Sequence, residues 1–150
     1  MNQNAQPGLE DAICLAATAH AGQVYPSVPP QPYILHPLRL VVQASSEEER
    51  IVAALHDVVE DTHLTLDDLR RAGYDERIIT AVDHLTRREG EPYEEYIARL
   101  SADPLARAVK LLDLADNLAN SARLPSTPEV LERIARYEWA RARILAGEAA

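Results

Sequence analysis

Two apolar runs in this chain carry ionisable side chains where a packed core tolerates none. In Ile51-Val-Ala-Ala-Leu-His-Asp-Val-Val59 they are His56 and Asp57, and in Ala108-Val-Lys-Leu-Leu-Asp-Leu-Ala115 the carboxylate is Asp113. Burying a carboxylate or an imidazole without a partner costs several kcal/mol or forces the group neutral. A fold that buries both runs must therefore bring these groups together around something that compensates them. His36, in Pro32-Tyr-Ile-Leu-His-Pro-Leu38, is a fourth residue of the same chemical type. Two imidazoles and two carboxylates suit a transition ion such as manganese, iron or zinc, whereas calcium prefers an all-oxygen shell.

Almost every segment reads as helix. Leu9 to Ala21 is apolar at helical spacing and Gly22 follows as a stop. Val24 to Gln31, with Pro26, Pro29, Pro30 and Pro32, can only be an extended loop. Pro37 suits the first turn of a helix through Gln43, and Ser46 with Glu49 is a capping box opening the helix expected to carry His56 and Asp57. Thr65 with Asp68 is a second box, for a short helix ending at Gly73. Helices follow over Asp75 to Leu85 and Pro92 to Leu100, then a long one capped by Asp103-Pro104 and an arginine-rich one from Pro128 to about residue 146. Alternating strand-type runs, repeats and low-complexity tracts are absent. The expected fold class is all-α, a single-domain bundle of about seven or eight helices with its core over residues 9–124.

The 150 residues suffice for one domain burying roughly 70% of its unfolded surface. No apolar run approaches the ~20 residues that span a bilayer, and the N-terminal residues lack a secretory pattern, so a cytoplasmic, soluble protein with no membrane partner is expected. The formal net charge of −9 argues against a nucleic-acid duplex as partner but leaves room for a small phosphorylated ligand held by a metal ion and local cations. Cys14 is the only cysteine, which excludes an intrachain disulfide, and its apolar surroundings suggest a small core residue.

Lys110, Asp113 and Asn117 fall on one stripe of the long helix, readable either as a site or as a solvated face. Glu60-Asp61 follows the His-Asp pair by one turn, at a helix end where acids are disfavoured unless a cation compensates them. Carboxylates so placed can orient a water and divide acid and base roles. His20 suits bracing a helix end or a site role, His63 and His84 loops or the surface, and Tyr93 and Tyr96 packing or the border of a cleft. Trp139 suits the core or a subunit contact, and Arg133, Arg136, Arg141 and Arg143 a solvated helix face.

Together these residues match a family. Pro-Tyr-Ile-Leu-His36-Pro-Leu, Ala-Ala-Leu-His56-Asp57-Val-Val-Glu60-Asp61-Thr62 and Val-Lys110-Leu-Leu-Asp113-Leu-Ala-Asp-Asn117 resemble the HD-domain phosphohydrolase superfamily. Within it the chain is similar to the hydrolase domain of Rel/Spo-type enzymes and their small stand-alone relatives, which act on the alarmone (p)ppGpp. Ala17-Thr-Ala-His-Ala-Gly-Gln23 and Leu85-Thr-Arg-Arg-Glu-Gly-Glu-Pro-Tyr93 extend the resemblance over most of residues 9–124. It implies His36, His56, Asp57 and Asp113 as ligands of one divalent ion, usually manganese, with iron, zinc, cobalt, nickel and magnesium as alternatives. It implies Glu60 and Asp61 as the catalytic pair acting on a metal-activated water, and Asn117 facing the nucleotide sugar. Lys110 is placed to steady the carboxylates or reach a phosphate, and Tyr25 to stack on a base.

Two departures bear on the substrate. The loop before Pro32 usually holds an Arg-Lys pair, whereas Val24 to Pro32 has no cation; after Asp113 the family has arginine and later histidine, here Leu114 and Asp116. Each lost charge-assisted contact is worth about 1.5–3 kcal/mol, so two would weaken (p)ppGpp binding by roughly two to four decades. The expected function is a metal-dependent phosphohydrolase of a small nucleotide, (p)ppGpp 3′-pyrophosphohydrolase-like. The alternatives are an HD phosphodiesterase or nucleotidase for another nucleotide and a non-catalytic nucleotide-binding module. Either state, monomer or oligomer, is compatible with these features.

Overall fold

The computed structural model describes residues 5–149. The chain folds as α1 (Leu9–Ala19), β1 (Val24–Tyr25), β2 (Gln31–Pro32), α2 (Leu35–Gln43), α3 (Glu47–Leu55), α4 (Val58–Asp61), α5 (Leu66–Ala72), α6 (Glu76–Leu85), α7 (Tyr93–Ser101), α8 (Pro104–Ser121) and α9 (Pro128–Ala149). The fold is all-α, as expected, and no described helix is long and apolar enough to cross a membrane.

Local chemistry sets most boundaries. Ser46 Oγ accepts the Glu49 amide at 3.1 Å while Glu49 Oε2 accepts the Ser45 amide, so two orphan donors at the start of α3 are satisfied. Thr65 and Asp68 form the reciprocal box of α5, which ends on Gly73 at φ +101°, a left-handed position that favours glycine. Asp103 accepts the Leu105 and Ala106 amides ahead of Pro104 and opens α8. Three expectations are corrected. His56 and Asp57 sit not inside one helix but at the break between α3 and α4. The proline loop contains a short antiparallel pair, Val24 opposite Pro32 and Tyr25 opposite Gln31. Cys14 is exposed, because α1 turns Ala12 and Ala16 to the core instead.

The core runs through the middle of the bundle, with Leu40 of α2, Leu55 of α3, Ile78 of α6, Ile97 of α7 and Leu114 of α8 fully enclosed. Burying each such side chain contributes about 1.5–3 kcal/mol. Because α2, α3 and α8 pack on one another, their polar stripes meet along one line, and that line is the site.

Arg99 of α7 fastens the segment between α6 and α7. Its guanidinium donates to both Glu91 carboxylate oxygens, at 2.9 and 3.0 Å, and to the carbonyls of Asp83, His84 and Thr86 at the end of α6. Arg99→Met is expected to cost about 1.5–3 kcal/mol, measured by urea denaturation at pH 7. The Arg99 hydrogen bonds hold the Glu91 carboxyl down to about 2. A depressed carboxyl contributes stability above its unfolded value, so the gap between wild type and variant narrows as pH falls from about 4.5 toward 2. A gap independent of pH over that window would remove Glu91 from the account.

Candidate metal centre and cleft

His36 of α2, His56 and Asp57 at the α3–α4 break, and Asp113 of α8 come together at the floor of a cleft of about 310 Å³. Ligand-type atoms of His36, His56 and Asp57 lie within 4.8 Å of one another. Asp113 Oδ1 is 2.9 Å from His36 Nε2 and 3.5 Å from His56 Nε2, and Asp57 Oδ2 is 3.0 Å from His56 Nε2. Both imidazoles are only 2% exposed.

The two rings are oriented from behind. His56 Nδ1 donates to the Ala53 carbonyl at 2.7 Å, and His36 Nδ1 lies 2.6 Å from Asp116 Oδ2. With Nδ1 carrying the proton, each neutral ring points its Nε2 lone pair at carboxylate oxygens. His56 Nε2 is buried and makes no well-formed hydrogen bond despite the nearby Asp57 oxygen. That arrangement calls for positive charge. Burial opposes ionisation of both histidines, but Asp113, Asp116 and Asp57 overcome it and raise both toward imidazolium. Burial likewise opposes ionisation of Asp57, yet His56 brings it down to about 2. Two lone pairs and two ionised carboxylates converging on one point fit a divalent transition ion.

The carboxylates are themselves held. Tyr33 Oη donates to Asp57 Oδ2. Lys110 Nζ donates to Asp113 Oδ2 at 2.9 Å, and Asn117 Nδ2 to Asp113 Oδ1 at 3.0 Å. Burial works against the Lys110 charge, but Asp113 more than restores it. Lys110 thus steadies a carboxylate and also lines the cleft. Asn117 also lines the cleft, but its oxygen accepts from Tyr25 Oη at 2.8 Å, so one N–H remains for a ligand.

Tyr25 departs from its expected role. Its ring lies parallel to His36 at 5.0 Å and 5.1 Å from the Arg39 guanidinium, and only 4% of the residue is exposed. It forms part of the wall and has no free face for stacking on a base. Leu114 is fully buried in the core, so the departure from arginine there removes no side chain from this chain's cleft. Arg39, the guanidinium beside Tyr25, is bound to Asp116 through Nε at 2.7 Å.

Glu60 and Asp61 stand at the mouth, and carboxylate oxygens of Glu60, Asp61 and Asp57, one from each, lie within 4.8 Å of one another. Glu60 Oε1 accepts the Arg87 amide at 2.7 Å. Desolvation in the cleft raises the carboxyls of both acids, and Asp57 adds to the rise. His20 acts as a brace: its Nδ1 pairs with Gln23, whose Nε2 donates to the Asp61 carbonyl at 2.8 Å.

Arg136 does more than the sequence suggested: it is exposed on its helix face, as expected, and also lines the cleft, 5.2 Å from the Tyr93 ring and 5.7 Å from the Tyr137 ring. Arg87 approaches Tyr93 at 5.6 Å. Neither guanidinium forms an ion pair among the described residues, so both face the cleft uncompensated. The buried Tyr93 hydroxyl also has no partner.

A helical bundle that gathers a histidine from one helix, a His-Asp pair from a helix break and an aspartate from a third helix is an HD-type fold. No protein-family model matches the chain. It is 33% identical over 140 residues to a probable GTP pyrophosphokinase of Mycobacterium leprae, covering 85% of this chain and 17% of that protein. It is 31% identical over 100 residues to a guanosine-3′,5′-bis(diphosphate) 3′-pyrophosphohydrolase of Aquifex aeolicus, covering 59% and 14%. The chain therefore spans less than a fifth of the length of these two relatives. A solved structure described as a metazoan ortholog of SpoT that hydrolyzes ppGpp and plays a role in starvation responses superposes with a TM-score of 0.77. It is 22% identical, over 94% of this chain and 88% of that one. The chain thus resembles Rel/Spo-type enzymes in sequence over most of its length and shares the fold of the superposed structure.

Proposed function

We propose that the chain is a metal-dependent phosphohydrolase that cleaves the 3′-pyrophosphate from a guanosine bis(diphosphate), with manganese as its ion. The observation that carries this reading is the convergence of two imidazole lone pairs and two ionised carboxylates at the floor of a cleft with two acids and two unpaired arginines above it. His36, His56, Asp57 and Asp113 would hold the ion. A divalent ion there supplies Lewis acidity, lowering the pKa of water and stabilising charge on phosphoryl oxygens. Glu60 and Asp61 orient the attacking water and take its proton. Desolvation in the cleft raises both carboxyls and makes them stronger bases than free carboxylates. Water adds to the phosphorus attached to the 3′-oxygen as that P–O bond breaks, and the proton taken from the water passes to the leaving 3′-oxygen, giving pyrophosphate and guanosine 5′-diphosphate. Arg87 and Arg136 neutralise the phosphate chain, and the Tyr93 hydroxyl offers it a donor. Of the two activities in the relatives' names, these residues fit hydrolysis.

A second reading, hydrolysis of a different small nucleotide, is favoured by one observation: the loop of residues 24–32 has no cation and its tyrosine is buried against His36. The test is the ratio of kcat/KM for ppGpp to that for GTP, ATP and a bis-aryl phosphodiester, with manganese. A strong preference for ppGpp supports the first reading; equal or better turnover of the others supports the second. No turnover of any of them would overturn both. Arg136→Ala is expected to raise KM about 10- to 100-fold with little change in kcat, as for a lost charge-assisted contact.

A further inference from the structure

The polar groups of α2 and α8 meet two by two. His36 and Arg39, one turn apart on α2, face Asp113 and Asp116, one turn apart on α8. Asp113 approaches His36 from the Nε2 side at 2.9 Å and Asp116 from the Nδ1 side at 2.6 Å, so one imidazole is gripped by two carboxylates of the same helix. Asp116 is in turn fixed by Arg39, whose Nε reaches Oδ1 at 2.7 Å and whose Nη2 reaches Oδ2 at 3.0 Å. The Tyr25 ring lies flat on His36, with an interplanar angle of 8°, and limits tilting of the imidazole.

We propose that Asp116, braced by Arg39, is a positioning residue for the metal centre, fixing His36 in the tautomer and orientation that present Nε2 to the ion. The inference rests on the metal-centre reading above and goes beyond it, since Asp116 is not among the expected ligands. A carboxylate has only acceptor sites, so the short contact requires the His36 proton on Nδ1 and leaves Nε2 as the donor. His56 receives the same service from the neutral Ala53 carbonyl. The carboxylate behind His36 makes that ring the more electron-rich ligand of the two. The competing account is a plain ion pair tying α2 to α8, which would affect stability and leave metal affinity alone.

The two accounts separate in an isothermal titration of Mn²⁺ into metal-stripped protein, paired with the ligand-field absorption of the Co²⁺ form and the melting temperature of the metal-stripped form. Asp116→Ala, which removes the acceptor altogether, is expected to weaken Mn²⁺ binding about 10- to 100-fold, the usual cost of losing a carboxylate behind a ligating histidine, and to shift the Co²⁺ bands. Arg39→Gln, at a partly exposed position, should move both readouts the same way by a smaller factor and carries the test if the first variant does not fold. Mn²⁺ affinity within twofold of wild type in a folded variant, with only a lower melting temperature, would overturn the positioning role and leave the metal centre standing. Failure of the wild-type protein to bind Mn²⁺ would overturn both.

Discussion

Asp113→Ala is expected to strip the protein of divalent metal and to lower phosphohydrolysis by about 10³-fold or more, because Lewis-acid stabilisation worth several kcal/mol is lost and each 1.36 kcal/mol is a decade. No other carboxylate in the cleft touches so much: His36, His56, Lys110 and Asn117 all lie within 3.5 Å of its oxygens. Removing it also leaves the enclosed Lys110 charge without its partner, which costs roughly 3–5 kcal/mol. Metal loss could then be confused with unfolding. Adding Lys110→Met to Asp113→Ala removes the stranded charge, so the double variant should regain most of the lost stability while its metal content stays near zero. Metal content after gel filtration and chemical denaturation of both variants give the answer. A folded Asp113→Ala protein with wild-type metal content would show that the ion does not use this residue.

What could be read from the chain beforehand divides along physical lines. The caps Ser46, Thr65 and Asp103 and the stop at Gly73 were legible because capping is settled within four residues. The meeting of His36, His56, Asp57 and Asp113 was legible because charge inside apolar runs has to be compensated somewhere. The break of the helix at His56-Asp57 was not, since neither residue is a glycine or proline and the turn is set by packing. The exposure of Cys14 was missed for a related reason: α1 is apolar on more than one face, and only its neighbours decide which face is buried. Tyr33 on Asp57 and Asp116 on His36 join residues 24 and 80 positions apart, beyond any periodicity. Arg136 belonged to an arginine-rich helix face, and nothing local distinguished it from Arg133 or Arg141. Tyr137 follows it in sequence, but the Tyr93 ring on its other side became visible only once α9 was seen packed against α7 and α8. The direction of the Leu114 side chain, into the core, was not legible because a family comparison names a position but not the direction its side chain takes.

Glu60→Gln is expected to keep metal and fold and to lower kcat by about 10²-fold or more, the usual scale for a lost proton-transfer group. The amide retains an oxygen to accept the Arg87 N–H, so the segment held by Arg99 stays in place and the cleft keeps its shape. What disappears is basicity. Desolvation and the neighbouring Asp57 and Asp61 raise the Glu60 carboxyl, so a proton leaves it at higher pH than from a free side chain. A base must be ionised to act, so wild-type kcat should climb with pH through that raised value and then level off. In Glu60→Gln this limb should vanish or shift to that of Asp61, whose carboxyl is raised by the same causes. The pH profile of kcat, alongside metal content and circular dichroism, separates the two acids. Should Glu60→Gln retain activity within a factor of a few and keep the wild-type profile, the base is Asp61, and Asp61→Asn should then show the loss. Asp61 is well placed for that outcome, since Gln23 and His20 hold its carbonyl from outside the cleft. Glu60 is the first choice because its carboxylate alone of the two is oriented by a hydrogen bond from across the mouth, at 2.7 Å.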